Sequence, residues 1–400
     1  FSDQSYTTVF DFIPVVDSPI VKTRLSEDGE VSANNLKFVS DQATVYFEIL
    51  PMADSERITY ADISIQQQGV EFYNYELTND VYVTSYNFDL SNILRDFNSN
   101  QADLNNDQVV NYILTEPLEA HISVHAIDEN ENHEDVGTFH IVEEITVIPD
   151  STKVKNEKEY QETLFGFSEF DNTNINFLES GESDDTTFID PEFGTIISTN
   201  DLLDGTEIDF ETEAILGTKG DDFVFASSNS ESEAGTLIHG GDGFDDLSGG
   251  DYADIIYIDT GIDGGRDIAS GGLGDDIFVI HGDVDQNHPN SLINEDVSKI
   301  DMNNRLESLL QKESITVNDV KVAGTIEDFS YAEVDNSDSI VLSGFSENAN
   351  YSLHNEDDLA LLLIEDDTQD KLYTAAILMP EYGTFDSSDM DLMNDAIHKI

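Results

Sequence analysis

Between Gly240 and Val279, glycine, aspartate and a large apolar residue return at nine-residue spacing, and few folds satisfy that spacing. Gly240-Gly241-Asp242-Gly243-Phe244-Asp245-Asp246-Leu247-Ser248 meets the pattern G-G-x-G-x-D-x-U-x at every fixed place, U being a large apolar residue. Gly271-Gly272-Leu273-Gly274-Asp275-Asp276-Ile277-Phe278-Val279 does the same. This period belongs to stacked turns joined by short parallel strands. Glycines let the backbone turn tightly with positive φ. The aspartate at place six points an oxygen into the turn, and the apolar residue at place eight sits on a strand facing the interior. Each repeat is half a coil, so repeats two apart stack on one side and share a metal between their turns. Calcium suits such a site, because it takes carboxylate and carbonyl oxygens in flexible geometry.

Degenerate copies extend the register. The stretch opening at Gly217 keeps Gly220, Asp222 and Val224 at places four, six and eight. The one opening at Gly249 keeps Gly250, Asp254 and Ile256 but has Tyr252 at a glycine place, and Ile262–Ser270 keeps Gly265 and Asp267 with Ala269 at the apolar place. Two interruptions remain, at 226–239 and 258–261. Repeats opening at 217, 240 and 262 are expected on one side of a roll, those at 249 and 271 on the other. That predicts calcium between Asp222 and Asp245, between Asp245 and Asp267, and between Asp254 and Asp276, with turn carbonyls at Gly217, Gly240, Gly249 and Gly271 as further ligands. Of the 25 glycines, 15 fall between Gly217 and Gly282, in phase with aspartates, which disfavours a metal-free acidic loop.

At these residues the chain resembles the RTX (repeats-in-toxin) proteins, whose hemolysin-type calcium-binding repeats accompany type I secretion. The resemblance covers about residues 215–282. It implies a right-handed parallel β-roll, and folding driven by calcium after export.

Charge agrees with such a design. Eighty-five acidic residues against 16 basic ones give a net charge of −69. Self-repulsion on that scale opposes a compact state. Divalent cations or salt must offset it, since screening shortens to about 10 Å at 0.1 M. Adaptation to a salty habitat would give the same composition. Nucleic acid and anionic membranes are poor partners for this surface. A hydrophobic content of 38%, with 10% aromatic residues, argues for packed cores over disorder. There is no cysteine, so neither disulfides nor thiolate sites are available. No apolar run approaches the ~20 residues of a membrane span. A chain opening at Phe1 without an initiator Met is expected to continue a longer polypeptide, and calcium can replace disulfides in an extracellular protein.

The fold expected is mainly β: an immunoglobulin-like β-sandwich, then a short right-handed parallel β-roll, then an α+β capping and C-terminal region. Residues 1–17 would end a preceding module, 18–150 form the sandwich, 151–214 cap the roll, 215–283 form it, and 284–400 hold the C-terminal cap and a type I secretion region. Phe12–Val21 and Val147–Val154 each run an apolar strand into Pro and Asp-Ser, as at a junction between modules. Alternation predicts strands at Thr44–Leu50, Ile58–Ile65, Val70–Leu77, Val81–Asp89, His121–Ile127 and Thr138–Val147. The phrase Val124–Asn132 followed by Gly137-Thr138-Phe139 resembles the last hairpin of bacterial immunoglobulin-like repeats, which build adhesin stalks. Glu157–Phe165, Glu295–Gln311 and Ser388–Ile400 read as helices, the last with Asp389 and Asp391 early and Lys399 late, as the helix dipole favours. Strands are expected at Ser339–Ser343, Leu359–Ile364 and Lys371–Leu378.

Other constellations are weaker. Asp103, Asn105 and Asp107 have the one-three-five spacing of a calcium loop, but Gln108 replaces the turn glycine and Leu114 the bidentate Glu. A loop calcium and a polar loop before a strand both stay open. His121 and His125 share one strand face and His140 lies on the expected partner, a set zinc uses. Ile122, Val124 and Ala126 claim the core, however, which turns the histidines to solvent. Asp190-Pro191 resembles the cleavage dipeptide of some RTX self-processing modules and has no matching context. Asp242, Phe244, Asp251 and Leu273 occupy the outward turn places where an ice-binding array of Thr and Asn would stand. No G-x-S-x-G, H-E-x-x-H or phosphate-loop motif is present, so the chain is not expected to be an enzyme.

The resemblance therefore implies a calcium-binding, extracellular or bacterial cell-surface part of a large adhesin. Its partners would be the type I secretion apparatus and a cell-surface glycan or protein. The alternative is the non-catalytic RTX module of an exported protease, lipase or polysaccharide-modifying enzyme.

Overall fold

Alternating apolar and polar residues put most of the described residues into strands. A computed structural model describes residues 20–24, 32–33, 38–50 except 42, 56–77 except 68, 85–93 except 91, 117–128, 135–149, 175–177, 189–190, 194–198, 214–216, 222–226, 235–258 except 242–243, 267–282, 308–331 except 313 and 317–319, 337–356 except 347, 359–366, 373–380, 385 and 389–400. These residues form two compact units, the first ending at Thr146 and the second running on from Val147.

The first unit is built from β1 (Ile20–Arg24), β2 (Ser32–Ala33), β3 (Phe38–Ser40), β4 (Thr44–Leu50), β5 (Glu56–Gln67), β6 (Val70–Leu77), β7 (Ser85–Asp89), β8 (Leu118–Asp128) and β9 (Asp135–Ile148). They make a four-stranded sheet in the order β2-β1-β4-β7 and a five-stranded sheet in the order β3-β9-β8-β5-β6. In the first sheet every pairing is antiparallel, and so are those among β9, β8, β5 and β6. Period-two patterning buries one face of β4, β5 and β8. Val45, Phe47 and Ile49 point inward from β4, and Ala61, Ile63 and Ile65 from β5. Ile122, Val124 and Ala126 do so from β8, and the register sets Ile63 against Ile122. His121 and His125 therefore point away from the core, as the alternation predicts.

The second unit follows a different rule. Its early strands are β10 (Ile175–Phe177), β11 (Ile189–Asp190), β12 (Gly194–Ser198), β13 (Ala214–Leu216) and β14 (Asp222–Phe225). Next come β15 (Leu237–His239), β16 (Asp246–Ser248), β17 (Ile255–Ile258), β18 (Asp267–Ser270) and β19 (Ile277–His281). The unit ends with β20 (Val320–Phe329), β21 (Ser339–Ser343), β22 (Asn350–Glu356), β23 (Leu359–Glu365), β24 (Tyr373–Pro380), the helix α1 (Asp389–Asp395) and β25 (Ile397–Lys399). One sheet runs β10-β13-β15-β17-β19-β21-β25 and the other β11-β12-β14-β16-β18-β20-β24-β23-β22. From β12 to β21 consecutive strands alternate between the two sheets and pair in parallel within each. That alternation is compatible with a parallel β-roll.

The column of place-eight residues runs through the core of this unit. Val224, Leu247, Ile256, Ala269 and Phe278 are all fully buried in one apolar cluster. Complete burial of a Val, Leu, Ile or Phe side chain stabilises by about 1.5–3 kcal/mol, so the repeated place, more than any single residue, holds the sheets together.

The sheets extend past the glycine-rich repeats in both directions. Between residues 226 and 239, read as an interruption, β15 pairs with β13 on one side and β17 on the other. Within 151–214, β12 and β13 cover the edges of β14 and β15. After the repeats, β20 and β21 add to the sheets in parallel. Residues 308–312 are helical, with Leu309 and Leu310 buried. The chain end departs from the expected helix over Ser388–Ile400. Helix α1 stops at Asp395, and Ile397–Lys399 becomes β25, whose Ile397 faces Ile340 of β21. Lys399 is accordingly no helix-end cation, and its ammonium donates to the Ala349 carbonyl at 3.2 Å. Sheet pairing and burial of Ile397 outweigh the local helical preference. Glu157–Phe165 lies outside the described residues.

Candidate metal centre

Parallel pairing two strands apart stacks equivalent places, and this creates two columns of aspartate. Phe223 faces Asp246 and Asp246 faces Ile268, which aligns Asp222, Asp245 and Asp267 along one sheet. Ile255 faces Ile277 and Ile277 faces Ser339, which aligns Asp254, Asp276 and Asp338 along the other. Each carboxylate reaches back one coil to a backbone donor. The Asp222 N–H donates to Asp245 Oδ1 at 2.9 Å, and the Asp245 N–H to Asp267 Oδ1 at 3.2 Å. In the second column, the Thr236 N–H donates to Asp254 Oδ1 at 2.5 Å, the Asp254 N–H to Asp276 Oδ1 at 2.8 Å and the Asp276 N–H to Asp338 Oδ1 at 3.2 Å. All three aspartate pairs expected from the repeat register are thus neighbours in space.

The first glycine of each described repeat is required by these carboxylates. A Cβ at Gly240 would lie 2.0 Å from Asp245 Oδ2, one at Gly249 2.4 Å from Asp254 Oδ2, and one at Gly271 2.2 Å from Asp276 Oδ2. Three repeats share one cradle, a carboxylate oxygen laid against a bare Cα. The second glycine has a different reason: Gly241 and Gly272 have φ of 99° and 91°, where side chains are strained. Gly217 lies outside the described residues.

The columns concentrate carboxylates away from solvent. Asp222, Asp245, Asp254, Asp267 and Asp276 are each at most 2% exposed, which is rare for carboxylates. Burial pushes Asp254 up to about 7, against the pull of the Gly250 and Thr236 N–H groups, and the Asp251 charge adds to the rise. Burial lifts Asp276 further, to about 9, and the charge of Asp254 raises it again. Asp338 rises to about 7, again chiefly by burial. The Oδ2 atom of Asp276 is buried with no hydrogen-bond partner among the described residues. A carboxylate in this position holds either a proton or a cation.

The residues fit calcium by three marks: an orphaned buried oxygen, a glycine cradle, and donors that are oxygen alone. Among the described residues no three His, Cys, Asp or Glu side chains converge as a ready-made metal cluster. The columns explain this, since successive turns each contribute one carboxylate, bonded to the preceding coil's backbone. A cation here would draw its remaining ligands from turn carbonyls.

Asp103, Asn105 and Asp107 lie outside the described residues. The histidines have neighbours other than metal: His121 Nε2 sits 2.6 Å from Glu119 Oε2, and His140 Nδ1 3.2 Å from Ser123 Oγ. Asp190 ends β11 opposite Gly194, and Pro191 lies outside the described residues. Two members of the site were missed in the sequence. Asp338 occupies place six of a half-coil with Ile340 at place eight but no glycine at all, and Asp328 reaches the Gly271 turn from β20. The pair Asp338/Ile340, two residues apart, is the signal that glycine-led matching passes over. No protein-family model, curated protein or solved structure matches the chain.

Proposed function

We propose that this chain is a calcium-folded segment of a large secreted RTX adhesin. Its first unit would be an immunoglobulin-like stalk module and its second a right-handed β-roll, followed by a region that directs type I export. The reading rests on one observation above all: buried aspartates at place six stack coil upon coil in phase with a fully buried place-eight core. Two sheets with antiparallel pairings, in which β4, β5 and β8 each bury one face, support the stalk module. The role is mechanical and adhesive, without catalysis. At low cytosolic calcium the aspartates repel and the roll stays open for export. Outside, millimolar calcium fills sites of the ~10⁻⁴–10⁻³ M class usual for extracellular modules, and binding energy becomes folding energy.

Far-UV circular dichroism of the whole chain during a calcium titration tests this. The β signal is expected to rise sharply near millimolar calcium, to respond little to magnesium, and to lose the rise in an Asp254→Ala/Asp276→Ala double variant. A fold complete in chelator and indifferent to calcium would sink the reading and leave the acidic charge as salt adaptation.

A further inference from the structure

Two repeats solve the same turn differently. In the repeat opening at Gly249, the second-glycine N–H donates to the repeat's own aspartate, Gly250 to Asp254 Oδ2 at 2.6 Å. In the repeat opening at Gly271, the equivalent donor turns elsewhere. The Gly272 N–H donates to Asp328 Oδ2 at 2.9 Å, joined there by the Ser270 hydroxyl at 2.6 Å, and the Gly271 N–H donates to Asp328 Oδ1 at 2.9 Å. Asp328 belongs to β20, 57 residues along the chain from Gly271.

The exchange leaves Asp276 one donor short. Its Oδ1 accepts the Asp254 N–H, while Oδ2 has no hydrogen-bond partner among the described residues. The residue is only 1% exposed, which withholds bulk solvent from that oxygen. That oxygen lies against Gly271, at 2.2 Å from where a Cβ would be, and the same glycine's N–H is held by Asp328. Two carboxylates therefore flank one residue. Asp328 Oδ1 accepts a single bond and keeps a second lone pair. Asp338 is not the missing partner, because it is itself an acceptor, of the Asp276 N–H at Oδ1 and the Ser330 N–H at Oδ2.

A buried carboxylate oxygen beside a second carboxylate, with no donor to satisfy it, is the arrangement that a cation relieves. We propose that the junction between the last repeat and β20 is a calcium site outside the nonapeptide array, with Asp276 Oδ2 and Asp328 as its carboxylate ligands. Calcium fits better than magnesium or a transition metal, because the donors are oxygens set on turns and a strand from distant segments, without imidazole or thiolate. Filling the site fastens the repeats to the strands that follow them. The proposal rests on the calcium reading of the repeats and extends it to residues no repeat pattern contains.

Calcium stoichiometry of the whole chain, measured by isothermal titration and equilibrium dialysis, tests it. Asp328→Asn is expected to bind one calcium fewer than wild type, while Ser270→Ala, which removes a donor to Asp328 but no charge, keeps the wild-type number. An Asp328→Asn variant that keeps the full number overturns the junction site and leaves the repeat sites standing. A wild-type chain that binds no calcium overturns both readings. A measurement on wild-type crystals soaked in a lanthanide frees the test from the variant's folding. An anomalous peak touching both Asp276 and Asp328 is expected, and peaks confined to the repeat pairs overturn the proposal.

Discussion

Exchanging Gly249 for alanine is expected to lower the stability of the calcium-loaded roll by about 3 kcal/mol, the upper end for overpacking. The new Cβ would sit 2.1 Å from the carbonyl oxygen of Gly271 and 2.4 Å from Asp254 Oδ2. Neither neighbour can give way. The carbonyl belongs to the backbone of the next coil, and the carboxylate is held by the Gly250 and Thr236 N–H groups. In a unit of this size a loss of 3 kcal/mol corresponds to a fall in Tm of roughly 6–12 °C. Gly69→Ala supplies the contrast. It adopts a φ of +77° with nothing within 4 Å of a Cβ, so its cost is backbone strain alone, about 1–2 kcal/mol. That glycine turns β5 into β6 in the first unit, so the roll's transition should not move. Calorimetry of both variants in saturating calcium separates the cases. A Gly249→Ala roll that melts with the wild type would mean the turns do not stack as closely as described.

The repeats were legible because glycine, aspartate and an apolar residue recur at fixed spacing, and each of those residue types has one physical reason to be where it is. Leu247 and Phe278 had to be core once the period was seen, and Asp254 had to meet Asp276 once two repeats made a coil. What lay beyond glycine was not legible. Thr236 precedes β15 at the place of the aspartate, and Asp338 precedes β21 in a half-coil without any glycine, yet both strands continue the sheets. Parallel pairing tolerates such substitutions because the apolar residue at place eight, Ile238 or Ile340, is kept in the core. Asp328 was beyond reach for a different reason: more than fifty residues separate it from the turn it caps, and no local pattern announces the contact. The terminal strand shows a tertiary override, since Asp389–Asp395 is helical as its acidic start suggests, but Ile397 gains more by joining β21 than by adding a further turn.

The same columns decide how the two forms of the roll respond to acid. Without calcium, the roll is expected to gain stability as pH falls from 8 to 5, opposite to ordinary carboxylate behaviour. Asp254 and Asp338 rise from 3.8 to about 7 on folding, and Asp276 from 3.8 to about 9, in each case mainly through burial. Between those limits the folded chain holds protons that the unfolded chain has released, so stability falls as pH rises. The favourable contribution is complete below about 4 and is withdrawn through about 7 for two groups and about 9 for the third. A rise from 3.8 to about 7 is worth on the order of 4 kcal/mol per group as an upper bound. Calcium bound as proposed would reverse the sign, because it needs the carboxylates deprotonated and would displace their protons, so its affinity would climb with pH. Self-repulsion of the −69 net charge also weakens in acid, but salt screens that surface effect and leaves the buried groups unchanged. Far-UV circular dichroism of exhaustively decalcified protein at pH 5 and pH 8, in dilute buffer and in 1 M salt, distinguishes them, with β signal expected to return at pH 5. The gain in acid should persist in 1 M salt if protonated columns cause it. A gain abolished by salt would assign the effect to the surface and leave the buried aspartates without a proton to exchange for calcium.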